Sequence, residues 1–213
     1  MTRGLVLVTG PDTEPVSTAE AKTHLRVDSA DDDTYIDTLI AAARQACERS
    51  TRRAFLEQTW RLSLDAFPGA DEDDLWEGTR VGPDLRKVAR YVELPNPPLL
   101  GVTSVITYDD ADAATTFAAS NYYVDTDGSP GRVVLRTAAN WPTALRVANA
   151  IQITYRAGYG NYGSDMPPQL VHAIKMLVGH WYAVRETVNA GNITSELPWT
   201  VAALLAPYRV MRL

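Results

Sequence analysis

Three glycines in the C-terminal half of the chain have the spacing of a dinucleotide-binding loop. Gly158, Gly160 and Gly163 fit the pattern G-x-G-x-x-G, in which backbone N–H groups and a helix N-terminus hold a pyrophosphate. Such a site needs a βαβ unit whose helix begins at the glycines, with an acidic residue about 20 positions later. Here the helical pattern begins only near Pro167, and no helical segments separate the preceding strand patterns. We therefore interpret these glycines as a sharp turn that leaves a sheet.

The other residue types that could catalyse a reaction or bind a metal form no recognised pattern. His172 and His180 lie eight residues apart on one predicted helix, too far apart to share a metal, and His24 is distant in sequence. Cys47 falls on an apolar helix stripe, which predicts a small buried hydrophobic side chain. The acidic runs 31–33 and 71–74 are interpreted as a solvated helix start and a solvated loop. We accordingly expect no catalytic residue, no metal site and no cofactor, and a protein that is not an enzyme.

The first third of the chain has the periodicity of two helices. Ser17 and Glu20 form a capping-box pattern, which predicts a short helix that runs to about Arg26. The acidic run 31–33 would cap a second helix and place negative charge at its positive end. That helix has an apolar stripe at three-and-four spacing, which predicts one buried face. The stripe consists of Ile36, Leu39, Ile40, Ala43, Ala46 and Cys47.

From Gln58 onward the apolar period changes to two, as in a half-buried strand. Further short strand patterns, separated by turns rich in proline, glycine and aspartate, follow at residues 88–94, 103–108, 122–125, 132–136 and 150–156. A series of strands without intervening helices predicts an antiparallel sandwich or meander. Helical patterns return after Gly163, with a final short helix that ends at Pro207.

The predicted fold class is therefore α+β, with N- and C-terminal helices packed together and an antiparallel β-sandwich or meander inserted between them. Residues 1–57 are assigned to an N-terminal helical part, residues 58–160 to the β insertion, and residues 161–213 to the C-terminal helices and tail. The first and third parts are expected to form one helical unit.

Composition and charge restrict the functional class. The chain has 213 residues, 46% of them hydrophobic and 22% charged, with a net charge of −6. These fractions are typical of a globular protein, and the acidic balance argues against sequence-independent binding of nucleic acid. No apolar run approaches the roughly 18 residues that a membrane span needs, so no membrane association is expected.

The sequence resembles the head–tail connector (adaptor) family of tailed phages, prophages and gene transfer agents. The resemblance covers about residues 14–210 and rests on the order and spacing of short segments. These segments are 14–22, 24–28, 33–44, 58–60, 64–68, 94–99, 130–133, 157–160, 178–182, 196–198 and 206–210. Residues 70–90 are longer and more acidic than the family pattern.

The resemblance implies a structural subunit of a ring, with twelve copies in the particle, that lies below the portal. Such a subunit joins the head to the tail and lines the channel through which DNA passes. Its implied partners are the portal protein, stopper or tail proteins, and further copies of itself. Its implied location is the host cytoplasm during assembly and then the neck of the virion or phage-like particle. The alternative is another neck protein, either a stopper or a tail-completion subunit.

We expect the portal contact in the segment after Pro207, which combines aromatic, apolar and guanidinium side chains of the kind enriched in interface hot spots. A mobile tail that orders on docking would suit this role. The predicted portal-binding residues are Tyr208, Arg209, Val210, Met211, Arg212 and Leu213.

Overall fold

The computed structural model describes residues 3–67, 90–184 and 198–210. The chain divides into two compact units. The sheet unit comprises Met1–Gly10 and Gln58–Ala157, and the helical unit comprises Pro11–Glu57 and Gly158–Leu213. The backbone therefore passes from one unit to the other three times. Positions 68–89, which include the predicted solvated loop at 71–74 and nearly all of the acidic segment 70–90, lie outside the described residues.

The described part of the sheet unit contains eight strands, all paired in antiparallel fashion. They are β1 (Arg3–Thr9), β2 (Gln58–Leu64), β3 (Tyr91–Glu93), β4 (Leu99–Tyr108), β5 (Ala114–Thr116), β6 (Tyr122–Asp125), β7 (Arg132–Leu135) and β8 (Ile151–Ala157). One sheet has the order β1-β2-β8-β4-β5 and the other has the order β3-β7-β6. The predicted α+β class with antiparallel sheets is thus confirmed. The five-stranded sheet is not a simple meander, since β8 inserts between β2 and β4.

One face of the five-stranded sheet forms a hydrophobic core, as the period-two pattern predicts. Leu62 pairs with Ile153, and Ile153 pairs with Val105 on its other side. All three side chains are buried. The same unit holds a stacked aromatic pair, with the ring centroids of Phe67 and Trp141 4.1 Å apart. Alternating side chains thus fix which face of the sheet is internal.

Strand β1 differs from the prediction that residues 1–57 are helical. Arg3–Thr9 pairs with β2, with Leu5 opposite Leu62 and Leu7 opposite Trp60. The segment holds four consecutive apolar residues, Leu5–Val8, too short a run to show a period. Leucine and valine are both compatible with a strand. The segment forms a strand because it pairs with β2.

The helical unit contains four α-helices among its described residues. They are α1 (Thr18–Leu25), α2 (Asp33–Thr51), α3 (Pro168–Ala183) and α4 (Trp199–Leu205). The capping box of α1 is confirmed, since Ser17 Oγ accepts a bond from the Glu20 N–H and Glu20 accepts one from the Ser17 N–H. The helix α3 begins after Pro167, and the Asp165 carboxylate, just before it, accepts a hydrogen bond from the Tyr162 N–H at 3.0 Å.

The N- and C-terminal helices share one hydrophobic core, as predicted. Ile36, Leu39 and Cys47 of the α2 stripe pack in the same buried cluster as Leu170 and Leu205. Ala46, at the edge of the stripe, is only half-buried against that cluster. The helices distant in sequence therefore bury one another's apolar faces.

Candidate assembly surface

The C-terminal segment begins where α4 ends. Val201 and Leu205 of α4 are buried in the helical core, and a single 3₁₀ turn, Ala206–Tyr208, follows. Pro207 cannot donate a backbone hydrogen bond, and it ends the α-helical pattern as predicted. Residues 206–210 then lie next to the C-terminal end of α2. Met211, Arg212 and Leu213 lie outside the described residues.

Three hydrogen bonds attach this segment to the helical unit. The Tyr208 hydroxyl donates to Gln169 Oε1 at 2.8 Å, and the Arg53 guanidinium donates to the Tyr208 carbonyl. The Val210 N–H donates to the Thr51 carbonyl at 2.9 Å. The Tyr208 ring is also partly buried against the helical core. The prediction of a mobile tail is therefore wrong for Tyr208–Val210, because these residues are paired with residues far away in sequence, which local pattern does not reveal.

Within the described part of the segment, Arg209 is the exposed charged residue. Its neighbours Tyr208 and Val210 are half-buried, and their hydrogen bonds fix the backbone on both sides of it. Because the backbone is already fixed, only the Arg209 side chain would have to be ordered when its guanidinium binds a carboxylate or a carbonyl group.

A buried ion network connects the start of the helical unit to α2. Arg44 is 6% exposed, and its Nε and Nη2 donate to the two carboxylate oxygens of Glu14 at 2.8 and 3.1 Å. Its Nη1 donates to Glu48 at 2.8 Å, and the other Glu48 oxygen accepts from the Phe55 N–H at 2.8 Å. Burial opposes the charged form of Arg44, but the bonds and charges of the two glutamates outweigh it and raise its pKa. The network holds residue 14 and the turn after α2 in place.

The glycine motif packs against this chain's own backbone. Gly158 has φ +139°, and a Cβ there would lie 2.2 Å from the Leu56 carbonyl oxygen. A Cβ at Gly163 would lie 2.0 Å from the Pro15 carbonyl oxygen. The Tyr159 N–H donates to the Phe55 carbonyl at 3.1 Å. The interpretation as a sharp turn at the end of β8 is confirmed at Gly158, and protein backbone occupies the space next to these glycines.

The remaining candidate residues are paired within the fold. Asp33 binds Lys22 at 2.7 Å, Asp32 accepts from the Tyr182 hydroxyl, and Asp31 accepts from Ser29. Burial raises the pKa of the Cys47 thiol to about 12, as expected for an inert, buried cysteine.

The structure brings His24 and His172 together, with ring centroids 6.4 Å apart, a proximity that their sequence separation did not indicate. Among the residues that the structure describes, no three side chains of His, Cys, Asp or Glu gather as a metal site would require. No described helix is long and apolar enough to cross a membrane.

Residues 17–79 match the phage gp6-like head–tail connector protein family. The resemblance predicted from the sequence is confirmed. The matched region holds α1, α2 and β2, and so includes parts of both units. No curated protein matches the chain.

Solved structures of gene transfer agent (GTA) particles contain chains that resemble this one over nearly its whole length. A chain from the neck of an empty GTA particle, computed with C6 symmetry, is 26% identical with a TM-score of 0.75, covering 99% of this chain and 97% of its own. A chain from the virion of a native gene transfer agent (GTA) particle is 24% identical, with a TM-score of 0.74 and coverage of 98% and 96%. A chain from the neck of a native GTA particle, computed with C12 symmetry, is 24% identical, with a TM-score of 0.69 and coverage of 99% and 97%. The last two, each 24% identical, show that the fold is shared.

A second exposed surface of this connector-like chain was missed by sequence reasoning. Four consecutive residues of β1 are exposed, namely Leu5 (38%), Val6 (47%), Leu7 (45%) and Val8 (51%). β1 is the outermost strand of its sheet. The run of four apolar residues is the sequence signal for this surface, but the run alone does not indicate a strand at the edge of a sheet.

Proposed function

We propose that this protein is a head–tail connector (adaptor) subunit. In this proposal, copies of the chain form a ring, with twelve members, below the portal of a tailed phage or phage-like particle. The ring joins the head to the tail, and DNA passes through its channel. The observation that carries the proposal is the 26% identity to a chain of a GTA particle neck over 99% of this chain. The family match of residues 17–79 supports it independently.

The charge of the chain suits a DNA channel. A net charge of −6 per copy gives the ring an acidic character, and acidic surfaces do not hold phosphates as basic surfaces do. DNA would therefore slide through the ring without being retained.

We assign the portal contact to the C-terminal segment, residues 208–213. Arg209 is exposed, and the bonds of Tyr208 and Val210 hold its backbone. The segment directly follows the shared core of the helices and is hydrogen-bonded to Thr51, the last residue of α2, and to Arg53 just after it. In this role, the protein is made in the host cytoplasm and ends in the neck of the particle.

Electron microscopy of the purified protein mixed with the portal protein of the same particle tests the proposal. The expected result is a ring of density at the portal, in which each copy has the present fold. Stopper or tail proteins should then bind the ring and not the bare portal. Density that forms only at the tail end, with no binding to portal, would instead support a stopper or tail-completion subunit.

A charge reversal tests the portal contact separately. Arg209→Glu should weaken portal binding at least tenfold and leave the melting temperature unchanged, because the side chain is exposed. Arg26→Glu is a matched control, since Arg26 is an exposed arginine of the same unit, at the C-terminal end of α1 and away from the end of α2. Equal affinities of the Arg209 variant and the wild type would place the contact elsewhere.

A further inference from the structure

The exposed edge of β1 is unusual for a strand that ends its sheet. Natural edge strands are protected by charges, prolines or short length, because their free backbone groups pair readily with other chains. β1 is seven residues long, and Leu5–Val8 carry neither charge nor proline. Successive side chains of a strand point to opposite faces, so the exposure of all four leaves apolar groups on both faces.

We propose that this edge pairs with the opposite edge of the same sheet in a neighbouring copy of this chain. The inference rests on the proposed ring, because a closed ring needs two different surfaces of each subunit to meet. The sheet offers two such surfaces, β1 at one end and β4 with β5 at the other. The partner is therefore a second copy of the chain, joined head to tail.

The acceptor is the part of β4 that β5 does not cover. β5 pairs only with Ile106, Thr107 and Tyr108. Positions 99–104 of β4 therefore pair with β8 on one side and, within the described residues, with no strand on the other side. Leu100 in this stretch is 38% exposed, so it offers an apolar side chain to the incoming strand.

Strand direction is compatible with a ring. Each neighbour in the order β1-β2-β8-β4 is antiparallel, so β4 runs opposite to β1. Cyclic symmetry about an axis near the strand direction keeps that direction in every copy. β1 of one copy would then lie antiparallel to β4 of the next, the arrangement that the rest of the sheet already has.

The size of the apolar edge fits a contact that forms only in an assembly. The four partly exposed aliphatic residues supply much less than the roughly 800 Å² per partner that a stable complex buries. Free copies should therefore be largely monomeric. Copies held side by side on a portal would pair through their edges because their effective concentration is high.

Cysteine crosslinking tests the pairing. The register Val6–Arg61–Thr154–Ser104 places Val6 and Ser104 on the same face of the sheet. The double variant Val6→Cys, Ser104→Cys is treated with a short bismaleimide, which tolerates a small register shift, on portal and at high concentration without portal. Native Cys47 is buried and should not react.

The expected result is a ladder of covalent oligomers from the double variant and none from either single variant. If rings form on the portal but no ladder appears, or if Val6→Cys alone gives dimers, the edge pairing is refuted while the connector function stands. A ladder at high concentration without rings on the portal would support the edge pairing and refute the connector function. Neither rings nor a ladder would refute both.

A charge on the edge provides a second test with a matched control. Val6→Lys places a charge on the β1 edge, and Val147→Lys places one at a residue of the same unit that is 91% exposed and outside the strands. Val6→Lys should lower occupancy of the portal ring at least tenfold, whereas Val147→Lys should match the wild type. Both should melt like the wild type. Equal occupancy for the two lysine variants would overturn the proposal.

Discussion

Removal of the Arg44 guanidinium should destabilise the helical unit strongly. Arg44→Met keeps an apolar stem of similar length but leaves Glu14 and Glu48, which both contact the guanidinium, without their shared cation. Breaking a buried ion pair on one side costs about 3–5 kcal/mol. The Glu14 side chain is 33% exposed, so water can solvate part of the released charge. We therefore expect a loss of about 3 kcal/mol, the lower end of that range.

The assay is thermal unfolding followed by circular dichroism at neutral pH. A loss of about 3 kcal/mol corresponds to a fall of roughly 6–12 °C in the melting temperature for a protein of this size. Arg49→Met is the matched control, because Arg49 lies on the same helix and is exposed, and it should change stability by less than about 0.5 kcal/mol. If the Arg44 and Arg49 variants melt together, the network does not hold the N-terminal segment to α2.

Three further perturbations have defined outcomes. Leu39→Asp places a charge in the shared helical core, where Leu39 is 8% exposed. The unfavourable burial should cost several kcal/mol of stability and abolish soluble folded protein. An unchanged melting temperature would mean that the α2 stripe is an assembly surface instead. Gly158→Ala must place a methyl group 2.2 Å from the Leu56 carbonyl oxygen at φ +139°, so this variant should have a sharply lower midpoint of unfolding in urea. At Gly101 nothing lies within 4 Å of the added Cβ, so Gly101→Ala should leave the midpoint nearly unchanged. Equal midpoints for the two variants would show that the turn at Gly158 relaxes freely. The pKa of the Cys47 thiol is raised from 9.0 to about 12 in the folded protein, so above pH 9 the thiol ionises first in the unfolded chain, and the free energy of unfolding should fall by up to about 1.4 kcal/mol per pH unit. Cys47→Ala should lack this contribution when stability is measured between about pH 9 and 10. An equal dependence of stability on pH in both proteins would disprove the prediction.

The sequence predicted the elements whose signals are local. The capping box of Ser17 and Glu20, the apolar stripe of α2 and the period-two pattern of β2 each depend on residues a few positions apart, and each formed as expected. The stop at Pro207 has the same origin, since a proline beyond the first turn of a helix removes a backbone donor and clashes with the preceding turn.

Features that depend on distant partners escaped prediction. β1 became a strand because β2, more than 50 positions away, offers a pairing edge. Tyr208 was expected in a mobile tail, yet Arg53 and Gln169 hold it. The proximity of His24 and His172 arises in the same way, from the packing of α1 and α3. Local periodicity contains no information on such pairings, which tertiary packing decides.

The threefold passage of the chain between its units has a consequence for biosynthesis. On the ribosome, α1 and α2 emerge early, but α3, which covers their apolar stripe, begins only at Pro168. Apart from Met1–Gly10, which emerges first, the sheet unit is synthesised in this interval and is complete at Ala157. The nascent helical pair must therefore wait with Ile36, Leu39 and Ile40 uncovered, while the sheet unit has all its strands and can fold first. Translation thus imposes an order in which the helical core forms last. A chaperone that binds apolar helices would act before Pro168 has left the ribosome.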